Sequence, residues 1–283
     1  METEFKEKTY EKYFSHEVAR LTNVTFSPDP CDEALLGFDD AFWLPLPRIM
    51  RRAPFVRRRR WSRMTGVEIC ELDHIADQFS CRMPPFRFNL FVQYKRPVFL
   101  KTKGAGEWEH WKRSYYRYNT TPHQQDALER IEAKGNGRAA TVYASPAFWQ
   151  SADLWANVEA ETIIDNSNIA SVGRLKGHGR YSYDSPGFRG KGHSEVTDIE
   201  SPAFNNVITR GLEGEPLPFN VHIKQAAKII LEAIRSSDSG APLFEQARAA
   251  LGINTLEDGT LAGAFATIEV FSDVFGASYM AVG

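Results

Sequence analysis

Two side chains near the end of one apolar run pose the chemical question. In Phe86-Arg-Phe-Asn-Leu-Phe-Val-Gln93-Tyr94-Lys95-Arg-Pro97 the aromatic and β-branched residues and the closing proline predict a buried strand. Successive side chains on a strand point to opposite faces, so Gln93 and Lys95 project the same way. A lysine buried beside an amide is costly unless something anionic is meant to arrive there. Two other stretches carry groups suited to such an anion. Asp39 and Asp40 follow Gly37-Phe38 at the start of an apolar stretch that ends at Pro45. Aspartate is depleted in strands, so the pair needs a reason, and an Asp-Asp turn or cap is the plain alternative. Between Ala41 and Val67 there is no acidic residue but there are eight arginines: Arg48, Arg51, Arg52, Arg57, Arg58, Arg59, Arg60 and Arg63. A charge run is most often a solvated loop. Here the single sign, the guanidinium chemistry and the neighbouring Phe55 and Trp61 favour a phosphate-facing surface.

The elements that must hold these groups can be read along the chain. Residues 5–22 predict a helix, with Tyr10, Phe14, Val18 and Leu21 at helical spacing and Tyr13 widening the stripe. Glu17 falls within or beside its inward face, either available to a site or paired with Arg20 at the rim. Ser27-Pro-Asp-Pro30 reads as a turn, and residues 65–80 as a short helix. Between Glu107 and Tyr118, Trp108, Trp111, Tyr115, Tyr116 and Tyr118 alternate with Lys112, Arg113 and Arg117. That mixture suits nucleobase stacking as well as core packing with cations reaching out to solvent. Thr121-Pro122-His123-Gln124 predicts an N-cap, a proline in the first turn and a capping-box partner; the helix stops at Gly135-Asn136-Gly137. Ala139 to Pro146 reads as the next strand, completing a strand–loop–helix–strand crossover. Residues 151–164 read as a helix, 165–220 as irregular and short-stranded, and 222–236, 242–251 and 258–272 as three more helices.

Composition narrows the class. With 283 residues, 42% of them hydrophobic and 25% charged, the chain is an ordinary globular protein with ample core. It has no apolar run long enough for a membrane helix, and Met1-Glu-Thr-Glu-Phe-Lys-Glu-Lys lacks an export signal's apolar core. Cys31, Cys70 and Cys81 are odd in number with no CxxC spacing, which fits a reducing cytoplasm and argues against a disulfide framework or a zinc site. His178 and His193 have no cysteine partners, and His123 falls in the first turn of its helix, where exposure or hydrogen bonding is the commoner fate. Ser145-Pro146 lacks the glycines of a nucleophile elbow, and no phosphate-binding glycine loop of the Walker or dinucleotide type occurs.

Taken in order, a helix with Glu17, Gly37-Phe38-Asp39 leading into a strand, Gln93-Tyr94-Lys95 at a strand's end, a capped helix and a further strand resemble the PD-(D/E)XK nuclease superfamily. The likeness is to its Mrr-like branches, in which a GxD turn precedes a strand ending in QxK, and it covers roughly residues 8–150. The resemblance implies an α/β fold: a restriction-endonuclease-like αβββαβ core, a mixed sheet flanked by helices, over residues 1–160 with a basic insertion at 45–85. Residues 161–283 are then a mainly helical C-terminal extension packed on that core. It implies magnesium as cofactor, with manganese able to substitute. Asp39 would be the metal carboxylate (Asp40 is not separable from it), Gln93 the second ligand, the Tyr94 backbone carbonyl a further one, and Glu17 a supporting helix carboxylate. Lys95 would orient or activate the attacking water, and Gln124 or Gln125 could face the site. Phosphodiester cleavage needs charge neutralisation and a hydroxide-like nucleophile, and such a set supplies both. The expectation is a cytoplasmic, metal-dependent endonuclease cutting double-stranded DNA, a homodimer because two strands need two sites, acting in restriction or defence. Arg51, Arg52, Arg57, Arg58, Arg59, Arg60 and Arg63 would grip the DNA backbone. The rival, favoured by glutamine where the family usually has an acid, is a decayed nucleic-acid-binding or assembly protein on the same fold.

Overall fold

The computed structural model describes residues 1–22, 25–26, 83–250 and 259–283. In chain order they form α1 (Glu7–Leu21), β1 (Thr25–Phe26), β2 (Phe88–Tyr94), β3 (Val98–Leu100), α2 (Trp108–Trp111), β4 (Tyr115–Asn119), α3 (Pro122–Gly135) and β5 (Ala139–Pro146). There follow α4 (Ser151–Ala160), β6 (Ser167–Ser171), a 3-10 turn (Val172–Leu175), β7 (Arg180–Tyr183), β8 (Arg189–His193) and β9 (Val196–Glu200). The remainder is α5 (Phe204–Leu212), α6 (Phe219–Arg235), α7 (Gly240–Ala250), α8 (Leu261–Phe275) and β10 (Ser278–Val282).

The central sheet runs β1-β10-β2-β5-β6 and is mixed. β2 and β5 are parallel, and the other pairings are antiparallel. Parallel neighbours need a crossover, and α3 provides it, as the sequence predicts. Alternation along β2 sorts its side chains between two cores. Phe88, Leu90, Val92 and Tyr94 pack with Tyr10, Phe14 and Val18 of α1 and with residues of α4 and α5. Phe91 faces the other way, with Tyr143, Leu128 and Ile131, under the α6 and α8 helices. Helices on both faces of a mixed sheet make this an α/β protein. A second, wholly antiparallel sheet runs β3-β4-β7-β8-β9. Its inner face is tyrosine-rich: Tyr116, Tyr118, Tyr181 and Tyr183 are buried in the larger core. Gly190 makes room for Tyr181, whose ring would stand 2.4 Å from any Cβ added there.

The expected division at residue 160 does not hold. β6 and β10 both come from the segment taken for an appended extension, yet they are strands of the central sheet. Residues 165–220, read as irregular and short-stranded, do hold the short strands β6 to β9, and also the helix α5, which that reading lacks. Four- and five-residue strands broken by Gly177, Gly179, Pro186 and Gly187 are too short to display a period. Both edges of β2 are occupied, by β5 and β10, so no other segment pairs directly beside it. Asp39, Asp40, the arginine-rich stretch, the insertion 45–85 up to residue 82, the turn at 27–30 and the helix at 65–80 lie outside the described residues. Among the described residues no helix is long and apolar enough to cross a membrane.

Candidate functional site

Lys95 stands just past β2, but its backbone N–H still donates to Ala144 O at 2.9 Å, so the strand register persists and its side chain leaves on the face of Gln93. The ammonium lies 3.4 Å from Gln124 Oε1, in the first turn of α3, and 5.4 Å from the centre of the Tyr143 ring. Burial pulls the Lys95 pKa below the ordinary lysine value, and Glu7 pulls the other way. Glu7 sits at the start of α1 and accepts the Arg96 N–H at 3.1 Å. Burial raises its carboxyl above the usual carboxylate range, with Lys95 the largest opposing influence. The same dry surroundings thus bring an acid and a base towards each other's range.

Gln93 is 3% exposed. Its amide nitrogen donates to Gly276 O at 2.7 Å, and its Oε1, buried, has no partner among the described residues. A carbonyl can only accept, so the amide cannot be turned round, and the unsatisfied atom is the oxygen. Leaving such an acceptor dry and unpaired costs about 1–3 kcal/mol, so a ligand or water belongs there. Gly276 caps α8 in the left-handed region (φ 62°). A Cβ at Gly276 would come within 3.4 Å of the Gln93 amide nitrogen and 3.5 Å of that of Gln124.

The same contact explains why residue 93 is not acidic. A carboxylate at 93 would set an oxygen against Gly276 O where an N–H now donates. Gln93→Glu is therefore expected to lower stability by about 1–3 kcal/mol. Urea unfolding checks this, and added magnesium should return part of the loss if the carboxylate meets a cation. Glu11, one turn along α1, lies on the other face of the sheet, where it accepts the Ser278 hydroxyl and lies 3.0 Å from Lys8.

Several expected residues lie elsewhere or have other work. Glu17 is not at this site. Its two oxygens accept the N–H groups of Ile163 and Ile164 at 2.6 and 2.8 Å. Ten residues separate it from Glu7, about 15 Å along the helix axis. It ties α1 to the turn between α4 and β6, in a cleft with Arg20, Glu161, Asp165 and Asn205. The rim pairing with Arg20 is also absent, since Arg20 pairs with Glu161. Glu17→Ala should cost about 1–3 kcal/mol in thermal or urea unfolding, the penalty for orphaned backbone donors.

Gln124 is no capping-box residue, because its side-chain oxygen faces Lys95; nor does the Thr121 side chain cap α3. Gln125 is fully engaged, donating to Val172 O and Glu129 and accepting from the Tyr143 hydroxyl. Tyr115, Tyr116 and Tyr118 are buried, and the Trp111 indole donates to Ser182, so this aromatic segment is packing rather than a stacking platform. His193 pairs with Ser182 on the second sheet at 2.6 Å. Among the described residues no group of three or more His, Cys, Asp or Glu is placed to hold a metal.

Glu7 is the member the sequence reading missed. Its signal is present: positions 7, 11, 14 and 18 share one helix face, which puts Glu7 in line with Phe14 and Val18. Compared with family models, with curated proteins and with solved structures, the chain matches none.

Proposed function

We propose that the chain is a magnesium-dependent endonuclease of the restriction-endonuclease-like kind, hydrolysing DNA phosphodiester bonds at Lys95. The observation that carries this reading is the paired anomaly of a desolvated ammonium and, two residues before it, a buried amide oxygen with nothing among the described residues to accept from. One wants an anion, the other a cation or a hydrogen-bond donor, and a metal-bound phosphate offers both. Position supports it too. The pair sits at the carboxyl ends of parallel β2 and β5, beside the N-terminus of α3, where α/β sheets take ligands and helix ends favour anions.

The donor chemistry fits magnesium, which takes oxygen ligands and retains several waters. Gln93 Oε1 is the donor among the described residues, the Tyr94 carbonyl is the expected neighbour, and Asp39 or Asp40 is left to supply the carboxylate. Magnesium, or manganese in its place, would supply charge neutralisation at the phosphate. Lys95 holds the attacking water and shields the oxygens on which charge builds. Gln124 fixes the ammonium's direction, and Glu7, with its raised carboxyl, takes up or returns a proton beside it. A homodimer is the form in which both strands of a duplex would be cut.

Supercoiled plasmid incubated with the protein and magnesium should be converted to nicked circles, and EDTA should prevent it. Failure to cleave duplex, single-stranded DNA or RNA with either magnesium or manganese would overturn the reading. The neutral oxygen of Gln93 favours one alternative, a catalytically decayed nucleic-acid-binding protein; DNA binding without cleavage under all these conditions is its signature.

A further inference from the structure

We infer that the tip of the β3–β4 hairpin is a second contact for the phosphodiester backbone, one that holds the polymer whose cleavage is proposed above. Between Arg96 and Arg113 stand five cations (Arg96, Lys101, Lys103, Lys112 and Arg113) against Glu107 and Glu109, in a chain whose net charge is −2. Internal pairing accounts for some of them. Arg96 donates to Thr3 O and lies 3.8 Å from Glu2, and Arg113 pairs with Asp184. Glu107 cannot serve the lysines, because Tyr115, Arg117 and Arg180 already occupy its carboxylate. Lys101 lies 5.9 Å over the Trp149 ring, and Lys103 and Lys112 have no acidic partner among the described residues. All three lysines are exposed.

The backbone between them adds an independent sign. The tip reads Lys101-Thr-Lys103-Gly104-Ala-Gly106. Neither glycine has a positive φ, and a Cβ on either would meet nothing within 4 Å. Nothing among the described residues requires glycine there. A bare backbone flanked by ammonium groups is what close approach of a phosphate chain requires. The placement suits one ligand spanning both points. Lys103 is eight residues from Lys95, so at most about 29 Å away by chain length. That is less than one turn of B-DNA, about 34 Å.

The test is duplex DNA binding by fluorescence anisotropy in EDTA, over a series of salt concentrations. It compares wild type, the triple variant Lys101→Ala/Lys103→Ala/Lys112→Ala, and a charge-matched control, Lys134→Ala/Lys224→Ala/Lys228→Ala, on the helical side. The tip variant should bind more than tenfold more weakly than the control at low salt. Its log K against log salt slope should be shallower by about 2–3, since each lost phosphate contact removes about 0.9. Equal affinity and slope in tip and control variants would overturn the inference while leaving cleavage by Lys95 intact as a proposal. No binding by the wild type overturns it as well, and the plasmid assay then decides the proposed activity separately.

Discussion

Lys95→Ala is expected to lower magnesium-dependent plasmid nicking by about 10²–10³-fold, the scale on which enzymes lose rate when one preorganised charge-stabilising donor is removed. The fold should survive. Among the described residues the Lys95 side chain makes one hydrogen bond, the long 3.4 Å contact to Gln124, and the strand is held by the backbone bond to Ala144, which alanine keeps. Removing a desolvated charge relieves burial cost, so the melting temperature should change little. Lys95→Arg should not rescue, because a guanidinium stays charged at every working pH and is too broad and too long to act as the compact ammonium that burial tunes here. The pH–rate profile gives a further check. Burial lowers the Lys95 pKa, so the limb that vanishes in Lys95→Ala should fall below the ordinary lysine range. A folded Lys95→Ala protein that nicks at the wild-type rate would remove this residue from the chemistry.

The second large effect concerns acid stability and His222. This residue of α6 is 1% exposed, its ring lies against Phe86 with centroids 5.6 Å apart, and among the described residues neither ring nitrogen has a hydrogen-bond partner. Burial chiefly, and the nearby Arg138 guanidinium next, pull its pKa from 6.5 down to about 4; a weak approach of the Phe88 backbone opposes them. The sign follows from proton counting. Between pH 6.5 and 4 the unfolded chain binds a proton that the folded chain refuses, so stability falls as pH drops through that window. At 1.36 kcal/mol per unit the loss reaches about 3 kcal/mol near pH 4. Urea unfolding at pH 7.5 and pH 4.5 should show the wild type losing markedly more stability between the two than His222→Leu. Parallel losses in the two proteins would assign the acid sensitivity to other groups.

The sequence carried the local part of this architecture well. Phe88 to Tyr94, the α3 crossover and β5 were readable because each is long, strongly patterned and bounded by proline or glycine. The shared face of Gln93 and Lys95 followed from strand alternation alone. The neighbours of those two residues did not. Helical spacing sets a face but not which turn meets the sheet's end, so Glu17 was expected where Glu7 stands. Gln124 satisfied a local capping rule that tertiary contact with Lys95 overrode. β10 is a five-residue strand next to a long apolar helix, with no period of its own, and its partner lies far back in the chain. The second sheet was hidden for the same reason.

The insertion of β10 between β1 and β2 has a consequence for how the molecule is made. The Tyr279 hydroxyl bonds to Asn89 across 190 residues, and every rung of that ladder has a similar span. Closing so wide a loop comes late and slowly, as for other topologies ruled by distant partners. Until it closes, the hydrogen-bonding edge of Phe88-Asn-Leu-Phe-Val is a bare apolar template that a second nascent chain can join. Refolding yield should therefore fall steeply with protein concentration, and a synthetic peptide matching Ser278 to Val282 should slow that self-association in trans.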